Sequence, residues 1–478
     1  MKKLLIIALS LSFFGMSCTK DITSFNEQTK RAASGAIPGE TLFTNATKNF
    51  VDVLASPNVN INVFRFTVQH WAATTYQDEP QYDFETRGIP AGLWTRMYRT
   101  ILANLKEAES IITADESLSE VEKANKLAIC DIMEVNVYYF LVTTFGDVPY
   151  TEALDPENVF PKYDDAKTIY ADLLSRLAAD ASTLNAAENG ITANQDIIYG
   201  GDVAAWKKFA NSFLLRMAMT IADSDAATAK SVFESANANA FTSAADNAEL
   251  VYLGATPNTN PIWVDLVQSG RQDMVAGEAL LDKLVAIDDP RLSLYFRPNA
   301  NGDYVGGIVG SNNTFSQVSK PSDQMVDPTF PQIILGYSEV EFLRAEAIER
   351  GFNIPGTAAE HYNNAVTASI VWWGGTAGEA ATYLAQPSVA YATATGDWKQ
   401  KIGVQKWIAL YNQDVQGWIE MRRLDYPKLP RPVGADFDFP TRLPYSQSEQ
   451  VLNPTSYTSA AQAIGGDVAT TKLWWDKF

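Results

Sequence analysis

A chain of 478 residues, 46% of them hydrophobic, is long enough to bury a sizeable core in one large domain or in two or three ordinary ones, and global disorder is excluded. A formal charge of −19 repels phosphate backbones and argues against nucleic acid as a partner. With His70 and His361 as the only histidines, the chain has almost no imidazole for zinc chemistry or Ser-His catalysis.

Met1-Lys2-Lys3, the apolar run Leu4 to Phe14 and Gly15-Met16-Ser17 have the order of an export signal. The run is well short of the ~20 residues that span a bilayer. A cysteine directly after it, Cys18, resembles the lipid-bearing first residue of a bacterial lipoprotein. Residues 1–17 therefore read as a signal peptide and 18–40 as a polar, lipidated tether. Residues 41–478 read as the globular domain. Removing residues 1–17 deletes Lys2 and Lys3 and leaves a charge of −21. A lipidated Cys18 leaves Cys130 alone, so stability must come from packing and not from a disulfide. No later stretch approaches bilayer length, and the expectation is a chain anchored to a membrane without crossing it.

Val59, Ile61 and Val63 alternate, which gives 59–67 partial strand character. Beyond it, helical periodicity dominates. Leu93, Met97, Ile101, Leu105, Ala108 and Ile112 share one helical face. So do Ile169, Leu173, Leu177, Ala181 and Leu184 after a cap at Asp164, and Trp206, Phe209, Phe213, Met217 and Ile221. Ser338 with Glu341 and Thr357 with Glu360 read as two capping boxes opening a pair of helices, with Gly351 ending the first. The pair, about 35 residues long, has the form of a tetratricopeptide hairpin. Segments 254–275, 298–332 and 427–457 are long and rich in Pro, Gly, Asn and Asp, as functional loops are. The fold expected is mainly α, with elaborate loops.

No nucleophile elbow, zinc-binding His pair or phosphate-binding glycine loop is present. Asn299, Asn301 and Asp303 alternate as in calcium loops, but the glycine comes too early for an EF-hand, and the segment reads as a polar turn. With 56 Asp and Glu, a carboxylate pair for glycoside hydrolysis is open by composition alone, although no particular pair is marked out. A helical-repeat scaffold that binds only proteins is the other alternative.

Several segments, in this order, resemble the SusD/RagB family of nutrient-binding outer-membrane lipoproteins, in its SusD-like branch. They are Tyr138 to Tyr150 (YYFLVTTFGDVPY), Pro161 to Asp164, Ile198 to Asp202 with Trp206 to Ser212, and Asp289 to Leu292. Glu339 to Gly351, Gln405 to Trp407, Gly417 to Arg423 and Pro440 to Tyr445 complete the set. The resemblance implies helical hairpins of tetratricopeptide type supporting a loop-rich face. It also implies a SusC-like TonB-dependent transporter as partner, over which the lipoprotein sits as a lid enclosing an oligosaccharide or peptide. No cofactor, metal or enzymatic activity is expected.

A sugar site needs flat apolar faces for pyranose C–H surfaces and planar polar groups for hydroxyls, so its rings should lie in loops and not on helical stripes. Trp71, Tyr76 and Tyr82 meet that test, as do Trp263 with Arg271 nearby and Tyr304. Trp372 and Trp373 end a helix, where one ring should be buried and the other exposed. The binding arc expected is 71–82 together with Trp263.

Overall fold

The computed structural model describes residues 37–478, so the signal segment, Cys18 and nearly all of the tether lie outside the described residues. Helix α1 (Gly39–Ala55) starts before the expected domain boundary at 41. Its second residue, Glu40, pairs with Lys126 and accepts from Thr192, so this end of the tether belongs to the packed body.

Phe43, Ala46, Phe50 and Val53 of α1 repeat every three or four residues and are fully buried. The stripe from Leu93 to Ile112 is one continuous rod. Ile89–Thr95 passes through a π-helical turn, Arg96–Leu102, into α2 (Ala103–Ala114). α3 (Glu120–Phe145) is capped by Ser119 and ended by Gly146 at φ +92°, a conformation that favours glycine. It is long and apolar enough to cross a bilayer, but 83% of its most hydrophobic window is buried by the protein, which makes it a central core helix. α4 (Ala166–Thr183), α5 (Val203–Thr220) and α6 (Ala226–Ala236) follow, each opened by an aspartate that accepts backbone amides of the first turn. The cap of α4 is Asp165 and not Asp164, because Asp164 is already engaged: its backbone bridges Val148 and its carboxylate accepts from Thr151.

α7 (Glu278–Ala286) leads to the second half, which holds α8 (Tyr337–Glu349), α9 (Ala358–Trp372), α10 (Ala377–Leu384), α11 (Trp398–Ala409), α12 (Asp414–Leu424) and α13 (Pro454–Ala463). Thr357 and Glu360 form the expected capping box on α9, and Thr376 with Glu379 forms another on α10. Ser338 and Glu341 do not. α8 begins directly after a strand, with Asn247 Oδ1 accepting the Tyr337 amide at 2.7 Å. Ser338 therefore lies inside the helix and donates to the Ala365 carbonyl, while Glu341 pairs with Arg344 and His361.

α3 packs on α4, α4 on α5 and α5 on α6; α5 then meets α8, which carries α9 and α11, and α11 carries α12. This is a mainly helical, tetratricopeptide-like stack. The strands are short and form three antiparallel pairs: β1 (Trp71–Ala73) with β3 (Met274–Ala276), β2 (Ala248–Leu250) with β6 (Gln332–Leu335), and β4 (Phe296–Arg297) with β5 (Lys320–Pro321). The expected strand at 59–67 is absent. There the side chains of Asn58 and Asn62 accept the amides of Asn60 and Phe64, which holds the backbone in turns before a helical turn at Phe64–Thr67.

Candidate ligand-binding site

The loop face is organised by the β1–β3 pair. Trp71 lies opposite Ala276, Ala72 opposite Val275 and Ala73 opposite Met274. The pairing runs on past the strands: the Thr74 amide donates to the Asp273 carbonyl at 3.0 Å, and Thr74 Oγ1 to that of Gln272 at 2.9 Å. Residues just after β1 are thereby held beside residues just before β3, although some 200 positions separate them in the chain.

Tyr76 and Arg271 meet in this way. Both line a cavity of about 460 Å³, with Asn58, Asn60, Asp78, Glu79, Arg87 and Asp273 among the polar wall groups. That volume falls in the range usual for small-molecule sites. Tyr76 is 69% exposed and sits at φ +59°, where a bulky side chain is strained. Arg271 is fixed by Asp273, to which Nε donates at 3.1 Å, and lies 3.6 Å from Asp265. These carboxylates raise its pKa, with the hydrogen bond it donates to Asp273 as the main cause. In the same cavity wall, Arg87 pairs with Glu79 at 2.8 Å. Burial pushes the Glu79 carboxyl up, and Arg87 opposes this. Two planar guanidinium groups, each steadied by a carboxylate, thus line the same cavity as one exposed phenol ring.

The other expected residues divide. Trp263 is half-buried, two residues before the Asp265 that approaches Arg271. Tyr304 is half-buried and packs on the core at the end of the 299–303 turn, where Asn299 Oδ1 accepts the amides of Asn301 and Asp303.

Trp71 and Tyr82 are corrections, because both are buried, and Trp373 is the buried ring of the 372–373 pair. Trp71 is fully enclosed, donates its indole N–H to the Tyr411 hydroxyl at 3.0 Å and lies under the Arg65 guanidinium. β1 is covered on both faces, so alternation gives it no outward ring. The Tyr82 hydroxyl accepts from Gln69 at 2.9 Å, and burial pushes its pKa up to about 12. Trp373 packs against Tyr295, Phe330 and Tyr411. Its neighbour Trp372 is only half-buried, but its N–H is committed to Glu249 at 2.9 Å. The reading from sequence missed the wall groups Asn58, Asn60, Asp78, Glu79 and Arg87. The run Gln77-Asp78-Glu79 directly after Tyr76 was the available signal, since it adds planar polar groups to the ring.

The sequence model of the SusD-like family, described as starch-binding and associating with the outer membrane, matches residues 29–446, and the chain belongs to that family. It is thus a nutrient-binding protein of a class found at the outer membrane. A chitin-binding protein of known structure is 27% identical, with a TM-score of 0.80 over 92% of this chain and all of its own. A SusD homolog from Bacteroides uniformis is 25% identical, with a TM-score of 0.79 over 91% of this chain and 99% of its own. A SusD-like protein from Bacteroides thetaiotaomicron, at 24% identity and a TM-score of 0.77 over 92% and 99%, shares the fold. No curated protein matches the chain.

Proposed function

We propose that the Tyr76–Arg271 cavity binds a neutral oligosaccharide and that the chain, lipid-anchored through Cys18 at the cell surface, acts as a lid that hands this cargo to a SusC-like TonB-dependent transporter. The observation that carries the cargo assignment is Tyr76 itself: an aromatic ring 69% exposed, held in a strained backbone conformation beside a fixed guanidinium at the rim of a polar cavity. Such a ring offers a flat apolar face to a pyranose, and the surrounding amide, carboxylate and guanidinium groups match its hydroxyls. Asp78, Glu79 and Asp273 outnumber Arg87 and Arg271 in the wall, which disfavours anionic glycans. The chitin-binding neighbour supports sugars of the N-acetylglucosamine type as the first to try.

Calorimetry with chito-oligosaccharides, malto-oligosaccharides and peptides tests the cargo. Saturable binding of one glycan series, weakened roughly tenfold or more by Tyr76→Ala and by Arg271→Ala, supports the reading. Binding untouched by both substitutions overturns the site. Turnover of a polysaccharide by the pure protein would make it a hydrolase instead. A pull-down from outer membranes tests the partner, and recovery without any TonB-dependent barrel would refute the lid. Loss of membrane association in Cys18→Ala is expected if the anchor is correct.

A further inference from the structure

Away from the cavity, where α2, α3 and α4 pack side by side, Glu109, Asp131 and Glu134 bring carboxylate oxygens within 4.8 Å of one another. Arg176 answers part of this charge. Its Nε donates to Asp131 at 3.3 Å, Nη2 donates both to the other oxygen of Asp131 and to Glu134, the latter at 3.1 Å, and Nη1 donates to the Tyr150 hydroxyl. Glu109 is half-buried and accepts no hydrogen bond among the described residues; Arg176 and Lys106 act on it only through space. A fourth carboxylate stands behind the group: Asp180, only 8% exposed, lies against Asp131, and its Oδ2 has no hydrogen-bond partner. Lys106 is the other cation in range, but its ammonium is directed to the Ala153 and Leu154 carbonyls. Four carboxylates therefore face two cations, with a buried acceptor and a half-buried one left unanswered.

We propose that Glu109, Asp131 and Glu134, backed by Asp180, form a calcium site that clamps α2, α3 and α4 together. The donor set is oxygen only, which selects hard cations and not zinc or copper. Metal–oxygen distances of about 2.3–2.6 Å allow ligand oxygens up to about 5 Å apart, which suits this spacing, whereas the tighter octahedron of magnesium does not reach so far. A divalent charge would balance the excess of two carboxylates, and the partly exposed Asp131 and Glu134 leave a way in. The site sits on the helical stack and is independent of the ligand cavity.

Chelator-treated protein titrated with calcium chloride at neutral pH tests this. The expected result is one calcium per chain, with a Kd of the order of 0.1 mM, and a rise in melting temperature at about 5 mM calcium. Glu109→Gln should fold, with a calcium-free melting temperature equal to or above that of the wild type, because it removes an unanswered charge. Its calcium response should fall at least tenfold, and that of Asp131→Asn likewise. No heat and no thermal shift in the wild type at about 10 mM calcium would overturn the site, as would a response that survives in both variants. A cluster stabilised by acid alone, with no calcium response, would show that it holds protons instead. Glycan affinity should not change in either variant.

Discussion

At Tyr76 and Trp71, two aromatic residues five positions apart in one short segment have opposite fates. Trp71 is enclosed and tied to Tyr411, and Trp71→Ala should cost ~3–5 kcal/mol, read as a lower urea midpoint. Tyr76 is mostly exposed, so Tyr76→Ala should leave the midpoint within ~0.5 kcal/mol of wild type while glycan affinity falls about tenfold, the worth of one ring stacked on a sugar. A loss of stability in Tyr76→Ala equal to that in Trp71→Ala would mean that the ring is packing and not platform. The ring-bearing loops were legible in the sequence, but which ring faces out was not. Burial of Trp71, Tyr82 and Trp373 depends on Tyr411, Gln69 and Tyr295, residues distant in the chain or from other elements.

Among the elements, the β1–β3 pair decides the site. Its far end tolerates no side chain at Gly277, where a Cβ would fall 2.5 Å from the Gln69 carbonyl oxygen and 3.1 Å from the His70 carbonyl carbon. The Gly277 amide also donates to the His70 carbonyl at 3.0 Å. Gly277→Ala should therefore force the strands apart, lower the melting temperature and weaken glycan binding, even though Gly277 lies outside the cavity wall. Unchanged affinity in a folded Gly277→Ala protein would show that the strand pair does not set the geometry of the cavity. The helices were read well, since each stripe of apolar residues is buried where periodicity put it. The partial strand character read at 59–67 gave no strand, and β1 at Trp71–Ala73 went unread. A three-residue strand covered on both faces has no alternation to read, while the alternating Val59, Ile61 and Val63 are bent by asparagine side chains.

Across the molecule, a chain without a disulfide among the described residues is joined by buried ion pairs. Glu346 of α8 meets Arg423 of α12 at 2.6 Å and Arg350 at 2.7 Å; Arg350 reaches Asp223 beyond α5, and Lys406 of α11 meets Glu420 of α12 at 3.0 Å. Burial alone would raise the Glu346 carboxyl, but Arg423 and Arg350 outweigh it and hold it at about 2. A folded pKa below the unfolded value contributes stability that is present above about pH 4.5 and lost as pH falls towards 2. That window should take roughly 3 kcal/mol from the wild type in acid denaturation curves, and less from Glu346→Gln, which starts lower at pH 7. Equal acid slopes for the two proteins would count against the assignment.

The C-terminal Asp476 has the opposite sign. Burial raises it to about 6, and Arg422, Lys472 and the Phe478 amide only partly oppose this. Its protonated form is favoured by folding, so this contribution is complete below about pH 4 and is lost as pH rises through 6. Asp476→Asn should raise the melting temperature at pH 7.5 and leave it unchanged at pH 4; no gain at pH 7.5 would refute the assignment.

The sequence by itself determined the helical class, the order of the packed stripes, the family motifs and the loops in which a ligand could be held. Those properties are local, written in the spacing of apolar residues and in short runs such as Gly146-Asp147-Val148-Pro149-Tyr150. Only the tertiary structure decided that Tyr76 and not Trp71 faces solvent, that Arg271 stands beside it, and that Glu109, Asp131 and Glu134 converge. Each of these depends on contacts between segments distant in the chain, set by a strand pairing or by helices lying side by side, and spacing along one segment carries no record of what will be packed against it.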